Sequence, residues 1–339
     1  MKPVVIIAEA GVNHNGSYEM ACQMAVAAKE AGADIVKYQT AVPELVMSLN
    51  APKAEYQITN TGAEESQLEM AKKIHLPLEA YADLKKYCEE VVKIKFLSTP
   101  FDHKSIELLK SIGQDIWKIP SGEITNLPYL EHIGSFKQEV IISTGMSEMW
   151  EISRAVETLI QSGTPKEKIS ILHCTSDYPA KMKDLNLSAI QSIYRETGCN
   201  VGYSDHSVGI EASIAAVALG ATIIEKHFTL DKTLPGPDHI ASLDTAELSY
   251  LIKCIRNIES AFGDGVKTAL GGEIPTRTIA RRSIHAALPI AKDAVIQFSD
   301  LIMKRPGNGI SPYDLHSVIG KKANRNIEQD EMLSPSDFS

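Results

Sequence analysis

Residues 200–229 read NVGYSDHSVGIEASIAAVALGATIIEKHFT. A short strand-like run, NVGYSDH, leads through a Gly-containing turn into a helical stretch at 211–219. A second β-branched run, ATIIEKHFT, follows. Strand, helix and strand at this spacing describe a parallel pair joined by a crossover helix. Each run ends in polar and ionisable residues: Ser204, Asp205 and His206 on the first, Glu225, Lys226 and His227 on the second.

The same unit recurs towards the N-terminus. VVIIAEAG starts at Val4, DIVKYQT at Asp34, IKFLSTPFD at Ile94 and DIWKIPSGE at Asp115; EVIISTGM starts at Glu139 and ISILHCTSDYP at Ile169. With the first two runs these make eight, the number at which a parallel sheet closes into a (β/α)₈ TIM barrel of the α/β class. Helices are expected at 18–31, 78–91, 151–161 and 211–219. Residues 41–76 break the rhythm, with no strand and a helix signal only at SQLEMAKK. A connection this long is expected to cover a substrate rather than merely join two elements. The Gly-, Thr- and Ala-rich stretch 266–280 reads as a linker between a barrel over 1–265 and a small unit over 281–339. That unit carries an internal echo, IAKDAVIQFSDL from Ile290 and IEQDEMLSPSDF from Ile327, around KRPGNG. A compact pseudo-symmetric domain of short strands and turns is expected.

With 44% hydrophobic residues, the 339-residue chain can bury a large core. A net charge of −9 argues against nucleic acid and anionic membranes as partners. Five cysteines without a CxxC pair suggest reduced thiols and a cytoplasmic protein. The opening run MKPVVIIAEAG meets Glu9 too soon for a signal peptide, and no apolar run approaches a membrane span.

In such a barrel the active site lies at the carboxyl ends of the strands, where the ionisable residues accumulate. His206 and His227 end adjacent strands and could share one divalent metal ion, leaving positions open for substrate and water. Lys37 and Lys118, with Thr99, Ser121, Ser143 and Ser204, could cradle a phosphate and a carboxylate. Two alternatives remain: a Schiff-base lysine, or lysines ion-paired internally with Glu9 and Glu123. Glu123, in PSGE, could transfer a proton or hold a sugar hydroxyl, and Asp238, in PGPDH, could contact a polar substrate. The Gly-rich runs near 263–272 lack GxGxxG, so no dinucleotide site is expected.

Taken in order, AEAGVNHNG, VKYQT, STPFD, WKIPSGE, STGM, HCTSDYP, YSDH, EKHFTLDK, GPDH and KRPGNG resemble the sialic acid synthase family over nearly the whole chain. The resemblance implies a barrel followed by an antifreeze-like (SAF, β-clip) domain. It implies a domain-swapped homodimer in which one chain's small domain caps the other's barrel. The implied reaction joins phosphoenolpyruvate to an N-acylated mannose-type sugar, releases phosphate, and requires Mn²⁺, Mg²⁺ or Co²⁺. Carried over by motif, the metal ligands are His206 and His227. The phosphoenolpyruvate contacts are Lys37, Thr99, Lys118, Ser121, Ser143 and Ser204. Gln39, Glu123, Tyr178, Asp238 and Arg305 fall to the sugar, and Glu9 matches the acidic residue of the first strand. Where members often carry an amide or Thr, this chain has Ser176.

The stretches SGEITNLPYL, VGYSDHSVGI and AAVALGATIIEKHFTLDKT look closer to members that form N,N'-diacetyllegionaminate from 2,4-diacetamido-2,4,6-trideoxymannose. N-acetylmannosamine, giving N-acetylneuraminate, is the alternative, and a pseudaminate precursor a third. A Schiff-base aldolase and a non-catalytic sugar-binding protein are the rivals from other classes.

Overall fold

Alternation along the strands determines which side chains enter the barrel and which meet the helices. In the computed structural model, which describes residues 3–62 and 64–339, all eight expected strands form. They are β1 (Val5–Gly11), β2 (Ile35–Thr40), β3 (Lys95–Pro100) and β4 (Ile116–Ile119), then β5 (Glu139–Ser143), β6 (Ile169–Cys174), β7 (Asn200–Asp205) and β8 (Ile223–His227). All pairings are parallel, in the order β3-β2-β1-β8-β7-β6-β5-β4, and β3 packs beside β4 to close the ring.

The barrel floor is an aliphatic layer of Ile7, Ile35, Leu97, Ile141, Leu172 and Ile223, with Ile116 packed against it. Gly202 takes β7's place at this level. A Cβ there would lie 2.5 Å from both the Ile223 carbonyl oxygen and a Leu172 methyl. The outward faces pack against amphipathic helices. Helix Tyr18–Ala31 is capped by Ser17 at its start and by left-handed Gly32 at its end. It buries Ala21, Met24, Ala25, Ala28 and Ala31, and the four alanines let the helix approach the sheet closely.

The other expected helices appear as Ala80–Lys86 continued by a π-turn, Met149–Ser162 and Glu211–Ala218. The long segment after β2 holds three short helices, Pro43–Val46, Glu55–Thr61 and Gln67–Ile74; position 63 lies outside the described residues. Among the described residues, no helix is long and apolar enough to cross a membrane.

The chain divides into two compact units, Met1–Phe262 and Gly263–Ser339. The stretch expected as linker contains a helix of its own, Glu273–Ala280, although its side chains are exposed. In the second unit the sequence echo has a structural counterpart. Ile290 and Ile327 pair with each other across an antiparallel bridge. Asp293 and Asp330 both take left-handed backbone conformations. Asp300 and Asp337 each accept the backbone N–H three residues earlier, from Gln297 and Ser334. Ile284, Ala286, Ile296, Leu301, Val318, Ala323 and Leu333 complete this unit's own core.

Because neither backbone nor Leu172 can yield 2.5 Å cheaply, Gly202→Ala should destabilise the chain by about 2 kcal/mol. A thermal melt indistinguishable from that of the native chain would show that the floor is looser than described.

Candidate active site

One two-residue step along each strand turns the aliphatic floor into a polar layer. Ile7 leads to Glu9, Ile35 to Lys37, Leu97 to Thr99 and Ile116 to Lys118; Ile141 leads to Ser143, Leu172 to Cys174, Gly202 to Ser204 and Ile223 to Glu225. All eight second-level residues are buried, yet line a cavity of about 420 Å³. The neighbours one residue along point outward. His173 is held by the Leu185 carbonyl, and Ser98 bonds to Thr40. Lys226 pairs with Asp205 at 3.0 Å on the helix side of the sheet, where Asp205 also accepts from Ser207 and Ser213. Lys226 is therefore unavailable to a substrate in the cavity.

The layer is a charge network. Lys37 Nζ lies 2.9 Å from Glu9 and 3.6 Å from Glu225, and donates to Thr99 Oγ1 at 3.0 Å. Lys118 Nζ lies 3.6 Å from Glu225 and donates to Ser143 at 2.6 Å, while Ser204 donates to Glu225 at 3.1 Å. Of the internal pairings raised as an alternative, that of Lys37 with Glu9 is present. That of Lys118 with Glu123 is not: Lys118 is paired instead with Glu225. The Ser121–Glu123 turn leaves Glu123 accepting from Asn126 at 2.6 Å, outside the cavity lining.

Burial pushes the Glu9 carboxyl up to about 7, against the pull of Lys37. Burial also opposes charge on Glu225, but Lys118 and Lys37 outweigh it and hold its pKa below the ordinary value. For Lys37, burial is outweighed by Glu225 and Glu9, and the pKa sits high; for Lys118 burial prevails and lowers it. These buried lysines compensate buried carboxylates, a state that an anionic ligand can replace.

Above this layer stand His206 and His227, with ring centroids 5.4 Å apart. Burial drives the pKa of His227 well below its ordinary value, and its Nδ1 is buried without a hydrogen-bond partner. A neutral imidazole with an unused nitrogen is suited to ligate a metal. Burial opposes charge on His206, but neighbouring Cys174 outweighs it and raises its pKa. Among the described residues no cluster of three or more His, Cys, Asp or Glu has metal-binding geometry. A cation here would rest on two imidazoles, with water and substrate completing its shell.

Gln39, Ser121 and Tyr178 also line the cavity, as does Ser176. Gln39 donates to Glu9 at 3.1 Å, and the Ser121 hydroxyl accepts the Gly145 N–H at 2.9 Å. Asp238 is buried close to His206 and Tyr56, and burial raises its pKa to about 6 against the pull of His206. Arg305 belongs to the second unit, where its Nε donates to the Ala280 carbonyl. Sequence reasoning missed Glu225's part in joining both lysines, although the Ile223-to-Glu225 step carried the signal. It also missed Cys174 and Tyr56. Tyr56 rides on helix Glu55–Thr61 and stacks on Tyr178 at 5.0 Å. The long segment therefore reaches the cavity, as expected of a covering loop.

A closed barrel with lysines, hydroxyls, carboxylates and paired histidines at its carboxyl mouth defines an enzyme of small anionic substrates. Residues 24–267 match the NeuB family and residues 281–339 the SAF domain. The N,N'-diacetyllegionaminic acid synthase of Campylobacter jejuni subsp. jejuni serotype O:2 is 46% identical, over 98% of this chain and 99% of its own. That of Legionella pneumophila subsp. pneumophila is 44% identical, over 95% and 91%. The crystal structure of the N-acetylneuraminic acid (sialic acid) synthetase from Leptospira borgpetersenii serovar Hardjo-bovis, in complex with citrate, superposes with a TM-score of 0.70. It is 34% identical and covers 81% of this chain and 90% of its own. The chain belongs to the NeuB family of sialic and legionaminic acid synthases, and carries a C-terminal SAF domain.

Glu225→Gln removes one charge from the buried network and should cost about 3 kcal/mol. The melting temperature should fall, and inorganic phosphate should restore more of it than it adds to the native chain. An unaltered melt without phosphate would show that Glu225 does not balance the two lysines.

Proposed function

We propose that this chain condenses phosphoenolpyruvate with 2,4-diacetamido-2,4,6-trideoxymannose to give N,N'-diacetyllegionaminate and phosphate. The observation that carries the reading is the pair Lys37 and Lys118 on one buried level with Thr99, Ser143 and Ser204, beneath two imidazoles. The two relatives of 44% and 46% identity favour the legionaminate precursor over N-acetylmannosamine.

In this reading the lysines and hydroxyls bind the carboxylate and phosphate of phosphoenolpyruvate and hold C3 towards the sugar aldehyde. His206 and His227 hold a divalent cation, Mn²⁺ in the first instance, which when bound supplies a Lewis acid for the aldehyde oxygen. The C3 electron pair forms the new bond to the aldehyde carbon, whose oxygen takes a proton. Water adds at C2, the bond from C2 to the phosphate oxygen breaks, and C2 is left as the carbonyl; of the water's two protons one ends on the former aldehyde oxygen and the other on the departing phosphate. Glu9 takes the proton from the attacking water, since it lines the cavity and burial leaves its pKa near neutrality. Gln39, Tyr178 and Asp238 contact the sugar, and Ser121 contributes to the phosphoenolpyruvate site.

The proposal extends to a domain-swapped homodimer in which Arg305 reaches the partner's sugar site. Five free thiols favour the cytoplasm as its compartment.

Phosphate release should require phosphoenolpyruvate and be fastest with the 2,4-diacetamido sugar, and a chelator should stop it. Faster turnover with N-acetylmannosamine would reassign the sugar; inactivation by borohydride but not by chelator would favour a Schiff-base lysine. His227→Ala and Arg305→Ala should each be inactive alone but regain activity when co-expressed. One mixed-dimer barrel then keeps its own His227 and receives Arg305 from the other chain. No complementation would contradict the swap.

A further inference from the structure

His206 lies 2.8 Å through Nδ1 from the Thr175 carbonyl oxygen. A carbonyl only accepts, so Nδ1 carries a proton, and Nε2 is the nitrogen whose lone pair a cation would need. That lone pair is engaged. Tyr178 Oη donates to it at 3.0 Å, with the two rings stacked at 4.1 Å between centroids. Tyr178 in turn stacks with Tyr56, whose helix is tied to the loop after β8 by Asn60, donating to the Pro237 carbonyl at 2.6 Å. The two histidines are therefore unequal. His227 has a buried nitrogen without a partner, whereas the metal-binding nitrogen of His206 is occupied by a phenol. One lone pair cannot accept a hydrogen bond and bind a cation together.

We propose that Tyr178 gates the metal centre: its hydroxyl holds His206 Nε2 until a divalent cation displaces it, and its departure loosens the Tyr56-bearing segment. The inference rests on the two-histidine metal reading. It makes Tyr178 a positioning residue as well as a sugar contact, because the displaced hydroxyl is freed to turn towards the sugar. Metal loading then precedes the arrangement that receives the second substrate.

Mn²⁺ binding to the metal-stripped full chain, followed by isothermal titration calorimetry, tests the gate. Tyr178→Phe keeps the ring stack and deletes the competing donor, so it should bind Mn²⁺ about five-fold more tightly, the weight of one net hydrogen bond. Hydrogen–deuterium exchange over residues 54–62 should rise on adding Mn²⁺ to the native chain and stay level in Tyr178→Phe. Equal or weaker Mn²⁺ binding by Tyr178→Phe, with the native chain binding normally, would overturn the gate alone. Unchanged exchange in the native chain would also overturn it, since the segment would not follow the tyrosine. A native chain that binds no Mn²⁺, or a His206→Ala variant that binds it unimpaired, would overturn the metal reading and the gate with it.

Discussion

Glu225 between Lys37 and Lys118 is the interaction on which the mouth of this barrel depends. Two ammonium groups buried on one level would repel each other and forfeit their hydration. The carboxylate between them, with Glu9 also against Lys37 from the intervening strand β1, offsets their charge. Ser204, Thr99 and Ser143 then complete the hydrogen bonding. The barrel can therefore fold with its binding groups already in place, and an anion entering the cavity competes with carboxylates rather than with bulk water.

The floor beneath makes that layer possible. Six branched aliphatic side chains fill the barrel one step below, and Gly202 leaves room for Leu172 and the β8 backbone to meet. Rigid strands thus present the charged groups, whereas Tyr56, on helix Glu55–Thr61, and Tyr178 and Asp238 reach the mouth from the segments that follow the strands. Groups carried on such segments can change with less disturbance to the barrel than groups built on its strands.

Much of this was legible in the sequence. The β-branched runs marked all eight strands because a parallel barrel strand is buried on both faces, and the clustering of polar residues at their ends marked the mouth. The side-chain facing was less legible. His173, Asp205 and Lys226 sit at strand ends like their neighbours, but the period-two alternation turns them towards the helices. Glu123 illustrates a different limit. A turn places its carboxyl against Asn126, three residues away, and no strand periodicity predicts that contact. Tyr56 was hidden because the inserted segment has no strand register to aim it.

The charged layer as the seat of the anionic substrate is most directly tested by a structure of the chain with phosphoenolpyruvate bound. The carboxylate and phosphate oxygens should lie within hydrogen-bonding distance of Lys37 and Lys118 Nζ, with Glu225 withdrawn from at least one of them. Phosphoenolpyruvate seated away from both lysines, with the Glu9–Lys37 and Glu225–Lys118 pairs intact, would contradict it.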